Sequence, residues 1–112
     1  MKKLEHCVYV LLSKKDGNFY VGYSSNLHQR LTSHIQGQSI ATASRRPFEL
    51  IFCEYFISKI DALNREQYFK TTKGKRVIHL MLQDSLKELE IEKGTPANRS
   101  RPAGNPLRLE DT

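Results

Sequence analysis

At 112 residues and 13.0 kDa the chain has room for one domain with a modest core, and not for two. Apolar residues make up 38% of it and no apolar run approaches the ~20 residues of a membrane-spanning helix, which argues against a membrane partner. A formal charge of +6 and a sequence pI of about 9.5 favour a polyanionic partner, although such a charge also serves solubility.

The basic start Met1-Lys2-Lys3 leads through Glu5 and His6 into a strand-like run, without the apolar region and small-residue cleavage site of a signal peptide. The chain therefore reads as cytoplasmic. Cys7 and Cys53 are too few for a disulfide framework, and neither has a Cys or His at zinc spacing, so both read as reduced, buried thiols.

Two β-branched and aromatic runs, Cys7-Val8-Tyr9-Val10 and Tyr20-Val21-Gly22, flank an Asp16-Gly17 turn signal and predict an opening β-hairpin. With Asp16-Gly17 as a two-residue loop, the numbers of paired residues sum to 33, and Tyr9, Tyr20 and Gly22 share one face. Asn26 is the expected N-cap of a helix from about Leu27 to Ile35, with Gln29 three residues on and Leu27, Leu31 and Ile35 as a narrow apolar stripe. Arg30 and His34 lie beside that stripe, one turn apart.

Gln36 to Pro47 reads as a polar connection carrying Gly37, Arg45 and Arg46. The near-continuous apolar run Leu50 to Phe56 predicts a third, central strand. A second helix is expected over Ile60 to Lys70, capped by Ser58 or Asp61, and at about 100° per residue Glu66 falls inside its apolar arc. Gly74 reads as an interruption before a third helix over Val77 to Leu89; the run Val77 to Leu82 also fits a strand, but Leu82, Leu86 and Leu89 continue at helical spacing.

Residues 1–92 are expected to form the folded domain. Residues 93–112 hold three of the four prolines and four basic against two acidic residues, a composition expected of a disordered basic tail. Removing the tail leaves 14 basic and 10 acidic residues, so the domain itself stays basic at +4.

The ordered series Tyr9, Tyr20, Arg30, His34 and Glu66 resembles the GIY-YIG nuclease domain. The match is best to small stand-alone members related to the N-terminal domain of the bacterial excision-repair nuclease subunit. Cys7-Val8-Tyr9 stands at the first triplet of that family and Tyr20-Val21-Gly22 at the second. The resemblance implies an α/β fold with a small three-stranded sheet flanked by helices, and metal-dependent cleavage of DNA with low sequence specificity, with a link to repair or recombination. The competing expectation is a nucleic-acid-binding module whose cleavage is weak or depends on a partner.

Nothing in the sequence reads a 2′-hydroxyl or a base, so RNA stays open beside DNA. The resemblance makes Glu66 the sole protein ligand of Mg²⁺ or Mn²⁺, a hard-oxygen role that one carboxylate and several waters can fill. Without it, Glu66 would simply pair with Lys70. The resemblance further implies that Arg30 holds the scissile phosphate, Tyr9 is the general base, Tyr20 positions, and His34 orients water or contacts phosphate.

Gly22 would let a phosphate backbone approach the strand or would mark a bulge, and Arg45, Arg46, Lys70, Lys73, Lys75 and Arg76 are candidates for phosphate contact. The chain departs from the family's pattern in three places: Cys7 stands where a glycine is usual, Val21 conservatively where an isoleucine is, and Tyr23 where the repair nucleases often carry a lysine.

Overall fold

The computed structural model describes residues 1–92, so the expected tail over residues 93–112 lies outside the described residues. These fall into two compact units, Met1–Leu80 and one beginning at Met81. The first holds β1 (His6–Ser13), β2 (Phe19–Ser24), α1 (Leu27–Ile35), β3 (Phe48–Phe56), α2 (Lys59–Lys70) and nearly all of α3 (Thr72–Met81). The second begins with the end of α3 and holds α4 (Gln83–Glu92).

The hairpin forms as expected in kind but not in register. Its loop has four residues, Lys14 to Gly17, closed by the Ser13 amide donating to the Asn18 carbonyl at 2.9 Å, with Gly17 in the left-handed region at φ 76°. The Ser13 hydroxyl accepts from the Lys15 and Asp16 amides and stabilises this wider turn. Tyr9 consequently faces Gly22, and Leu11 faces Tyr20. A two-residue displacement keeps the parity of an alternating strand, so Tyr9, Tyr20 and Gly22 still share a face.

The antiparallel sheet has the order β2-β1-β3, so β1 is the central strand and β3 an edge, contrary to the expectation from its apolar run. Burial explains the difference. Cys7 to Leu11 are buried without a break, because both faces of β1 are covered and both edges are paired. On β3, by contrast, Leu50, Cys53 and Tyr55 are exposed, and Glu54 pairs with Arg65 of α2. The expectation of two buried thiols thus holds for Cys7 and fails for Cys53.

One face of the sheet presents Cys7, Tyr9 and Leu11, against which Tyr20, Leu27, Leu31 and Phe48 pack. Val8 and Val10 point to the other face, where Phe52 meets Phe69 of α2 edge-on with ring centroids 6.0 Å apart. α1 starts where the sequence indicates, with the Asn26 side chain accepting from the Gln29 amide at 3.1 Å. Its third apolar residue, Ile35, is 74% exposed and lies outside the core. For α2 the cap is Ser58, whose hydroxyl accepts from the Asp61 amide.

Gly74 does not interrupt anything: it lies within α3 and is buried. A Cβ there would collide with the Tyr68 carbonyl at the end of α2, so the glycine permits close passage between consecutive helices. The expected single helix over Val77 to Leu89 is two helices, separated at Leu82.

Candidate active site

The face shared by Tyr9 and Tyr20 is roofed by α1, and the i,i+4 spacing of Arg30 and His34 brings both side chains down onto the two phenols. Tyr9 is the hub. Its hydroxyl lies 2.9 Å from His34 Nε2 and accepts from Arg30 Nε at 3.4 Å. The Tyr20 ring stands 6.4 Å from that of Tyr9 and 5.3 Å from His34, edge-on to the imidazole. On its far side His34 Nδ1 lies 2.8 Å from Thr42 Oγ1.

Burial divides these groups into an inner and an outer set. Tyr9 and Thr42 have no exposed surface and His34 has 2%, whereas Tyr20 and Arg30 are half-buried. Burial pushes the Tyr9 phenol up to about 12; the hydrogen bond from Arg30 opposes this, and the Tyr20 and Glu66 charges add to it. His34 is pushed below its usual value by burial first and then by the Arg30 charge. Arg30 is raised by its bonds to the phenols, that to Tyr9 being the larger influence, so its charge is held in place from below. The inner set is therefore neutral at physiological pH and the outer set carries a fixed cation.

Glu66 makes no direct bond to these groups, and its charge is the smallest of the named influences on the Tyr9 phenol. Its side chain is only 13% exposed, and Oε2 pairs with Lys70 Nζ at 3.1 Å across one helical turn. The bland reading of Glu66, a pair with Lys70, is thus realised, and the carboxylate is sequestered as well. No cluster of three or more His, Cys, Asp or Glu side chains suited to a metal exists among the described residues. A hard divalent ion that takes one carboxylate and otherwise water and phosphate oxygens is compatible with such a donor set; a caged ion is not.

Several expected positions have other work. His34 is buried and both of its ring nitrogens are engaged, by Tyr9 and by Thr42, so neither is free to orient water or to contact phosphate. Gly22 neither marks a bulge nor offers an open strand surface: it is buried, and the Tyr9 ring fills the space where its side chain would be. Arg45 donates to both carboxylate oxygens of Asp16 at 2.7 and 3.4 Å and to the Phe19 carbonyl, which holds the Asp16 carboxyl well below the usual range. Arg46 donates to the Ala43 and Ile35 carbonyls and lies over Gly37.

Both arginines therefore fasten the connection between α1 and β3 instead of standing free for phosphate. Lys73, Lys75 and Arg76 are exposed on α3, and Lys75 lines a polar hollow of about 340 Å³ with Asp16, Arg45 and His79 beside the hairpin turn. Tyr23 points to the other side of β2 from Gly22, and its hydroxyl bonds His6 Nδ1 at 2.7 Å.

Thr42 is the residue that sequence reasoning missed. It sits in the connection read only as polar and precedes the short 3₁₀ turn Ala43–Arg45. Its amide donates to the Ser39 carbonyl at 3.1 Å. The same connection is tied to the hairpin by the Ser13 hydroxyl donating to the Arg45 carbonyl at 2.7 Å and by Lys15 Nζ donating to the Ser44 carbonyl at 2.8 Å. A hydroxyl residue in a polar loop carries no sequence signal of burial; only the fold brings it to the imidazole.

The fold and this centre define a small α/β domain organised around a phenol, an imidazole and a fixed guanidinium. Residues 5–78 match the GIY-YIG catalytic domain, and the chain belongs to that family of nuclease domains. It is 38% identical over 90 residues to the UPF0213 protein YazA of Bacillus subtilis, covering 79% of this chain and 90% of that one. A UPF0213 protein of Bacillus pumilus is also 38% identical, over 95 residues, covering 83% and 90% of the two chains. Among solved structures, that of the UPF0213 protein BH0048 from Bacillus halodurans is 32% identical, with a TM-score of 0.45, and covers 68% of this chain and 83% of that one. No described helix is long and apolar enough to cross a membrane.

Proposed function

We propose that this protein is a divalent-metal-dependent endonuclease or nickase acting on DNA with low sequence specificity. The observation that carries the reading is Arg30: a half-buried guanidinium anchored through Nε to the Tyr9 hydroxyl and held beside Tyr20, a planar donor fixed where it can meet phosphate oxygens. A fixed cation of this kind stabilises charge as it develops on a phosphate at no cost in reorganisation. Family membership and the positive charge of the chain support a polynucleotide as the substrate, and a role in repair or recombination rests on the family likeness alone.

The division of labour between the tyrosines follows burial. Tyr9 has no surface for water, so the expectation that it is the general base gives way to Tyr20, the phenol with an exposed edge. Tyr9 then serves as the post to which Arg30 is tied, and His34 Nε2 accepts the hydrogen bond that the Tyr9 O–H donates. Glu66 is the residue that would hold Mg²⁺ or Mn²⁺, displacing Lys70 as it does so. When bound, such an ion would lower the pKa of its water and steady the leaving oxygen. Lys73, Lys75 and Arg76 are the free cations of α3 available to track the phosphate backbone.

Incubation with supercoiled, nicked, branched and single-stranded DNA and with RNA, in Mg²⁺ or Mn²⁺, tests this reading. Cleavage of DNA that is lost in Arg30→Ala supports it, and intact substrates throughout would overturn it. The pairing of Glu66 with Lys70 and the sealing of Tyr9 favour a second reading, in which the isolated chain binds nucleic acid but cleaves weakly until a partner opens the site. Binding without cleavage in the same assay would select it.

A further inference from the structure

We infer that Thr42 is a positioning residue: it accepts from the Nδ1–H that Arg30 and Tyr9 require of His34 and so stabilises that tautomer and the direction in which the Tyr9 hydroxyl points. The inference rests on the nuclease reading only for its consequence in turnover. Arg30, Tyr9, His34 and Thr42 form one continuous chain of hydrogen bonds, with links of 3.4, 2.9 and 2.8 Å. Its polarity follows from what each group can do. A guanidinium only donates, so the Tyr9 oxygen must accept from Arg30 Nε.

The phenol proton must then go elsewhere, and with Tyr9 fully buried the acceptor it meets is His34 Nε2. That nitrogen has to be bare. In a neutral imidazole the proton then sits on Nδ1, and Nδ1–H needs an acceptor, which Thr42 Oγ1 supplies. The opposite tautomer would aim two donors, Arg30 Nε–H and His34 Nε2–H, at one phenol oxygen and leave the phenol's own proton without His34 as its acceptor.

Thr42 is built to hold this arrangement. It has no exposed surface, its amide is tied to Ser39, and the 3₁₀ turn that follows it begins the stretch fastened to the hairpin by Ser13, Lys15 and Arg45. The connection between α1 and β3 thus has a mechanical purpose: it carries one hydroxyl to the back of the imidazole. Outer-shell partners that orient a metal-ligating histidine typically cost roughly 10- to 100-fold when removed, and a loss on that scale is expected for Thr42 behind His34.

Nitrogen-15 NMR of the histidine side chains in the full chain tests the inference directly. His34 in the unmodified protein should carry its proton on Nδ1, and in Thr42→Val, which keeps the shape but removes the acceptor, the Nδ1-protonated form should lose population to the Nε2 form. Plasmid nicking by Thr42→Val should show kcat reduced roughly 10- to 100-fold, with DNA affinity held, and Thr42→Ser should restore both the tautomer and the rate. Protonation on Nε2 in the unmodified protein would overturn the inference even if Thr42→Val failed to fold. So would a folded Thr42→Val with unchanged tautomer, or a Thr42→Ser that behaves as the valine variant does. A tautomer that moves as stated in a protein that never cleaves would retain the positioning role and remove the nuclease reading instead.

Discussion

The Tyr9 ring occupies the side-chain space of Gly22, its partner across the hairpin: a Cβ on Gly22 would overlap the Tyr9 Cζ and Oη atoms and come within 2.9 Å of Cε2. The glycine of the second triplet is thus a socket for the tyrosine of the first. Tyr9 can reach past β2 toward His34 and Arg30 only because nothing projects from Gly22. Gly22→Ala should destabilise the fold by about 1–3 kcal/mol through overpacking, read as a lowered thermal midpoint. Combining it with Tyr9→Leu, which vacates the socket, should recover part of the loss. A neutral Gly22→Ala would show that the ring can move aside freely.

His34 contributes to the acid side of the stability profile. Burial lowers its pKa in the folded state below the value of 6.5 that it takes when unfolded. The unfolded chain therefore binds the proton first as pH falls, and protonation favours unfolding. The stability that the neutral imidazole contributes is fully present above about pH 6.5 and is lost as pH falls from there through the folded-state value. Thermal midpoints measured from pH 8 to pH 4 should fall across this window, and His34→Gln should flatten that fall. An identical slope in the variant would assign the acid sensitivity to other groups.

Much of this centre was legible in the sequence because it depends on local periodicity. The shared face of Tyr9 and Tyr20 survived a wrong turn length, since a displacement of two residues leaves strand parity unchanged. The spacing of Arg30 and His34 on one helix likewise needed only the 3.6-residue repeat. Relations between elements were not legible. Leu50 to Phe56 and Cys7 to Leu11 are both largely apolar runs, and only the pairing order reveals that the second is central. Gly74 has the composition of a breaker, yet its role is set by the carbonyl of Tyr68 lying against it. Arg45 and Arg46 looked like free charge because their partners, Asp16 and the Ile35 and Ala43 carbonyls, are brought to them by the fold.

Arg30→Lys separates charge from geometry. Lysine keeps the positive charge but has no planar fork, and no Nε–H with which to anchor to the Tyr9 oxygen while still presenting terminal nitrogens to phosphate. The loss in kcat/KM for DNA cleavage should be roughly 10²- to 10³-fold, the scale of removing one preorganised donor from a developing charge. Filter binding at several salt concentrations should show a nearly unchanged salt dependence, because the count of cations is the same. A lysine variant with wild-type turnover would reduce Arg30 to a point charge and remove the anchoring by Tyr9 from the mechanism.

Glu66 and Lys70 make the sharpest pair of variants, because the same ion pair predicts opposite effects on its two ends. Glu66→Gln removes the one carboxylate that the proposal gives to the metal, so cleavage should vanish. DNA affinity should stay within about threefold, since a carboxylate releases no counterions from the polynucleotide. Lys70→Met removes the ammonium that lies 3.1 Å from Glu66 Oε2 and with which a divalent ion would compete. Its half-saturating Mg²⁺ concentration for cleavage should therefore fall below that of the unmodified protein, while its DNA affinity weakens slightly through the lost cation. Titrating both variants and the parent with Mg²⁺ in one nicking assay checks the two effects together. Retained turnover in Glu66→Gln, or an unchanged Mg²⁺ requirement in Lys70→Met, would leave the ion pair a structural feature of α2 and take the metal away from Glu66.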